Sequence, residues 1–133
     1  MRNALLTLLI VFASGSAAAE WVAVGGNDQS STYVDPASLV RTADKVKMWH
    51  LVDFNAPQFK ASGKRFLSEK LQYEYDCKDE RARKLTFLSH SRSMGGGVMV
   101  EGDWHPQAWE PPPSGGVLDY LRKVACGKQP ARP

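Results

Sequence analysis

FLSEKLQYEYDC, residues Phe66 to Cys77, alternates with period two after its first residues. Leu67, Leu71, Tyr73, Tyr75 and Cys77 fall on odd positions, with Glu69 the one polar member. Ser68, Lys70, Gln72, Glu74 and Asp76 fall on even ones. An apolar face against a polar face is the mark of a half-buried antiparallel strand. Cys77 is in phase with the apolar set, so it points toward the core.

The same reading extends outward. Lys45 to Phe54 is a second strand, with Val46, Met48, His50, Val52 and Phe54 on one face and Trp49 and Leu51 on the other. Apolar residues on both faces mark a more central strand. Arg83 to Ser91 is a third. Glu20–Val24, Ser31–Asp35 and Val98–Glu101 read as shorter strands. The block Cys77 to Lys84 mixes charges of both signs, as a solvated hairpin end does. Asp35 to Leu39 reads as one helical turn, with Asp35 as cap and Pro36 at the first position. Asn55 to Lys64, with Pro57, Ser62 and Gly63, reads as a loop. Met94 to Gly97 is a tight turn without the spacing of a phosphate loop.

One helix follows. Val117, Leu118, Leu121, Val124 and Ala125 form an apolar stripe at helical spacing, Ser114 can cap its start, and Gly127 can end it. Cys126 lies off that stripe, so it must sit in a turning final residue if it bonds to Cys77. A sheet of about six strands with one face to cover and a helix with one stripe to bury predict an α+β domain, helix on sheet.

The chain's first residues are of another kind. Arg2 precedes an apolar run from Ala4 to Ala13, and Ala17–Ala19 fits a signal-peptidase site. The run is shorter than the roughly 20 apolar residues that span a bilayer. The expectation is a signal peptide over 1–19, cleaved, and a single domain over 20–128. A disordered tail is expected over 129–133. With no cysteine near the cleavage point, a lipid-modified N-terminus is not expected, and the chain is placed in the periplasm or at the cell surface. Arg2 is the only charged residue in 1–19, so the formal charge falls from +3 to +2 on cleavage. So balanced a chain offers no basic face for nucleic acid.

Cys77 and Cys126 are the two cysteines. An even count in an oxidising compartment reads as a disulfide, which across about fifty residues stabilises by roughly 2–4 kcal/mol. The alternative is two free thiols, one of them catalytic, which needs a base and an activating environment.

Catalysis has little support. There is no G-x-S-x-G, and the neighbours Ser89 and His90 point to opposite faces of a strand. His50, His90 and His105 show no H-E-x-x-H spacing. His50 and His90 read as core-edge histidines with satisfied hydrogen bonds. A metal pair of His50 and His90 with Asp53 or His105 is the alternative. No enzyme activity, metal or cofactor is expected.

A protein-binding role remains. Trp104, His105 and Trp109, with Pro111–Pro113, form an aromatic, rigid segment. It is either a binding surface or a guide that packs on the sheet and leads the chain into the helix. Lys60, Lys64 and Arg65 form a basic loop, either a second candidate surface, for acidic glycans or anionic headgroups, or a solvated loop.

Several of these residues together resemble the surface-adhesin protein E family of Gram-negative bacteria. They are Trp21-Val22, Tyr75-Asp76-Cys77 with its charged turn, and Ser89 to Gly97. Trp109-Glu-Pro-Pro-Pro-Ser-Gly and Val124-Ala125-Cys126-Gly127-Lys128 complete the set. The likeness spans about Trp21 to Lys128. It implies an antiparallel sheet with a C-terminal helix on its concave face, tied by the disulfide. It also implies adhesion to host matrix or serum proteins such as vitronectin and laminin. The alternative role is that of a periplasmic accessory protein that binds another envelope component.

Overall fold

The computed structural model describes residues 20–128; the expected signal peptide and tail lie outside them. Six strands form one sheet: β1 (Val22–Gly26), β2 (Ser30–Thr42), β3 (Lys45–Phe59), β4 (Arg65–Asp76), β5 (Arg81–His90) and β6 (Met99–Asp103). One helix, α1 (Val117–Ala125), follows. Each strand pairs antiparallel with the next, in the order β1 to β6.

Short turns with local chemistry set this order. Asn27 Oδ1 accepts from the backbone N–H groups of Gln29 and Ser30 at 2.8 and 3.0 Å between β1 and β2. Asp76 Oδ1 does the same for Lys78 and Asp79 between β4 and β5, at 3.1 and 3.0 Å. Such side chains mimic a turn of backbone and favour reversal.

Two expectations about the strands need correction. Asp35 to Leu39 is not a helical turn but a bulge in β2, with Pro36–Leu39 opposite the single residue Met48. Ser38 Oγ donates to the Asp35 carbonyl at 2.6 Å and accepts from the Trp49 N–H at 2.9 Å, so the distortion is stitched to β3. Asn55 to Lys64 is not all loop: β3 continues to Phe59, with a register shift around Pro57. Proline has no N–H to give, and a bulge is where a strand tolerates it.

The register sorts the two faces. Val34, Val46, Met48, Tyr75 and Ala82 lie on one face and close over Leu121 and Ala125 of α1. Tyr73, Leu118 and Tyr120 pack around them. This is helix on sheet, as the periodicity predicts. Gly116, not Ser114, is the N-cap residue, and Asp119 Oδ2 accepts the Gly115 N–H at 3.1 Å. At the other end Gly127 N donates to the Val124 carbonyl and Lys128 N to that of Lys123. That pair of bonds is a Schellman motif. Cys126 is therefore the turning last residue, and it bonds to Cys77, with Cα atoms 5.7 Å apart.

On the far face Leu51 is fully buried. There residues 91–98 fold back over the sheet. Met94 N donates to Asp53 Oδ1 and Gly95 N to Ser68 Oγ, both at 2.8 Å. Gly95 has φ +72°, and a Cβ there would stand 2.5 Å from Lys70 Cε. Glycine alone takes that conformation and approach without strain.

Candidate partner-binding site

The segment after β6 is a strap hydrogen-bonded to β5. Where β6 ends, Gln107 N donates to the Lys84 carbonyl at 2.8 Å. Glu110 and Ala82 then exchange N–H···O bonds of 3.0 and 2.8 Å. The strap thus continues the sheet edge and holds its side chains on a fixed backbone.

Its two tryptophans do different things. Trp109 is half-buried, and its ring lies under three cations. Arg83 Cζ is 4.5 Å from the ring centroid, Arg81 Cζ 5.2 Å and Lys45 Nζ 5.9 Å. Arg83 is fixed by Nε and Nη2 bonds of 2.9 and 2.7 Å to Glu74 Oε1, and Arg81 by a 2.8 Å bond to Asp76. Arg81 first, then the backbone N–H of Asp79, holds the Asp76 carboxyl down to about 2. Trp109 is an anchor. Trp104, in contrast, is 61% exposed. Its indole lies over Gly102, where a Cβ would come within 2.8 Å of the ring. His105 beside it has a side chain 92% exposed, and its N–H and Nδ1 meet Asp103 Oδ1 at 2.8 and 2.7 Å. Those contacts with His105 keep Asp103 below the usual carboxylate range. The strap offers an apolar ring and an imidazole to solvent from an ordered support.

The basic turn is separate from them. Lys64 and Arg65 are exposed. Lys60 is engaged: its Nζ is 2.8 Å from Glu69 Oε2 and stands over the Phe66 and Phe87 rings at 4.5 and 4.4 Å. Glu69, Ser89 and Glu101 share one face by register, while Trp104 covers Gly102 on the other. Lys60 and Trp104 are thus not brought together.

Nor are the histidines. His50 pairs across the sheet with Leu71 and His90 with Ser68, so they lie on opposite faces. His50 is 2% exposed, with Tyr75 Oη 3.0 Å from Nε2 and the Tyr73 ring stacked at 5.3 Å. Burial takes its pKa down to about 3, so the ring is neutral. No group of three or more His, Cys, Asp or Glu with metal-site geometry occurs among the described residues.

The exposed Trp104 and the buried carboxylates of Glu74 and Asp76, paired with the half-exposed Arg83 and Arg81, escape a reading by alternation. For Trp104 a signal exists once the strand read over Val98–Glu101 is carried on to Asp103: it then holds an isolated glycine, Gly102, the mark of a close approach.

The sequence matches the family described as Surface-adhesin protein E over residues 21–127. The chain belongs to this family. Solved structures similar to this member include protein E of Haemophilus influenzae, at 11% identity and TM-score 0.62. That likeness covers 80% of this chain and 83% of that one. Protein E from non-typeable Haemophilus influenzae is similar at 11% identity and TM-score 0.65, covering 85% and 79%. Identity this low shows a shared fold. No curated protein sequence matches the chain. The antiparallel sheet, C-terminal helix and disulfide that the resemblance implies are present in this chain. Among the described residues no helix is long and apolar enough to cross a membrane.

Proposed function

We propose that this chain is an exported, non-enzymatic adhesin-type domain that binds a host extracellular-matrix or serum protein through its strap. Membership of the adhesin family supports binding as its activity. The observation that carries the choice of site is Trp104, a large ring 61% exposed on a backbone tied to β5. An ordered, exposed aromatic is the kind of side chain on which binding energy concentrates, because little entropy is lost when it is covered. His105 and the exposed Lys64 and Arg65 are secondary contacts. Lys60, held by Glu69, shapes the turn. Signal cleavage after Ala19 delivers the domain to the envelope.

The test has two parts. External protease on intact cells, compared with cells whose periplasm has been released, locates the chain. Immobilised matrix and serum proteins then test binding of the purified domain and of Trp104→Ala. Cleavage on intact cells, with binding that Trp104→Ala abolishes, supports the proposal. Protection until the outer membrane is breached rules it out.

The second reading, a periplasmic partner protein, has its own support in β1. That edge strand carries an exposed Val22 and pairs on one side only among the described residues. Such an edge accepts an added strand. Cross-linking in the periplasm from a photoreactive residue at Val22 distinguishes the two.

A further inference from the structure

The last turn of α1 buries a charge that the binding role above does not use. The Arg122 side chain is 6% exposed. Its Nη2 donates to Asp119 Oδ1 at 2.9 Å. Its Nε and Nη1 have no hydrogen-bond partner among the described residues. The nearest other carboxylate is Glu80, with Oε1 3.9 Å from Nη1, beyond bonding reach. Glu80 is mostly exposed, and its Oε1 is also 3.7 Å from Lys128 Nζ. A buried guanidinium left with idle N–H groups is a costly arrangement unless something completes it.

Arg122 lines a cavity of about 380 Å³. Pro111, Pro112 and Ser114 of the strap form one wall, and Glu80, Asp119, Arg122 and Lys123 the other. The Cys77–Cys126 bond builds the place, because it draws the β4–β5 turn that carries Glu80 against the end of α1. We propose that this cavity is a binding site for a small monocarboxylate. Its carboxylate takes the Arg122 N–H groups that Glu80 approaches but does not reach, and Lys123, whose Nζ is 3.2 Å from Asp119 Oδ2, stands beside it as a second, partly matched charge. Pro111 and Pro112 face the acid's short apolar part. Arg122 and Lys123 are balanced by Asp119 and Glu80, so displacing Glu80 leaves one positive charge to match, which suits a single negative charge and not a dianion such as phosphate. Glu80 acts as a tethered competitor, displaced when ligand enters.

The test uses the full chain from residue 20, labelled with ¹⁵N. Sodium propionate is titrated against sodium chloride at equal ionic strength and pH 7. The Arg122 Nε–H resonance and the Gly115 and Lys123 amides are followed. Saturable shifts with propionate and not with chloride are expected. Glu80→Gln removes the competitor from an exposed position and should tighten binding several-fold. Lys123→Gln should weaken it several-fold. Trialanine with a free C-terminus, compared with its amide, separates a peptide terminus from a free acid as the source of the carboxylate. Shifts that stay linear to 100 mM, an equal response to chloride, or equal binding of the amide overturn the assignment. So does a Glu80→Gln variant that binds no more tightly.

Discussion

Tyr75 Oη and His50 Nε2 stand 3.0 Å apart in the core, 25 residues apart in the sequence. Both groups have lost their water. Burial raises the tyrosine pKa well above its ordinary range and takes the histidine down to about 3. The fold therefore accepts only the neutral imidazole.

Stability should respond to acid in two steps. An unfolded histidine takes a proton near pH 6.5, and folded His50 does not until about pH 3. The unfolded state binds the extra proton in that window, so stability is full above pH 6.5 and falls as the pH is lowered. His90 is shifted the same way by burial and Lys70 and adds to this limb. A second limb starts near pH 4, the unfolded carboxyl range. Asp76 and Asp119, both held to about 2 chiefly by Arg81 and Arg122, remain ionised in the fold down to about pH 2, so the unfolded state binds the extra protons between pH 4 and 2. Denaturant midpoints from pH 8 to 2 measure both limbs. His50→Gln should shrink the first and leave the second. An unchanged first limb would refute the assignment.

The disulfide makes a separate claim. Cys77 and Cys126 are 49 residues apart, and the chain-entropy account gives their bond about 2–4 kcal/mol. Cys126→Ser should lower the free energy of unfolding from denaturant titration by that amount, and reductant should do the same to the parent. Alkylation of both thiols in native, unreduced protein would contradict the bond.

Trp104 and Trp109 should behave oppositely on truncation. Trp109→Ala removes a half-buried ring and its stacking with Arg81, Arg83 and Lys45. A loss of about 1–2 kcal/mol is expected, since each cation–π contact contributes roughly 0.5–1 kcal/mol when exposed. Trp104→Ala touches little and should change stability by no more than about 0.5 kcal/mol. Thermal melts of the two variants decide it, and the reverse order would mean that the anchor is misassigned.

Gly102 is held to glycine by the indole above it. Gly102→Ala should lift Trp104 and leave the other three tryptophans in place. In protein labelled with 5-fluorotryptophan, one of four ¹⁹F lines should move. If none moves, the ring does not rest on Gly102.

Much of this fold was legible because alternation is a local property. Leu71, Tyr73 and Tyr75 announce their face, and Cys77 inherits its direction from them. The helical stripe led by Val117 and Leu118 is equally plain. Alternation fails where one strand carries extra residues. Pro36 and Pro57 signal a break, and sequence alone does not say that pairing resumes beyond it. Glu74 and Asp76 read as outward charges because their partners, Arg83 and Arg81, arrive only on the next strand. Exposure of Trp104 and burial of Arg122 depend on what the strap covers, which is set by hydrogen bonds to Ala82 and Lys84 far along the chain.

The unbroken order of the sheet has a consequence for how the molecule comes together. Each strand meets the one made just before it, so no pairing waits for a distant segment. Contacts of short sequence separation cost little closure entropy and form early. A chain emerging N-terminus first can build the sheet by accretion, and Cys126 arrives after every strand is in place. The sulfur bridge then fastens a topology already reached. Refolding rates with and without the bridge should accordingly be similar, while the unfolding rate of the reduced chain should be the faster.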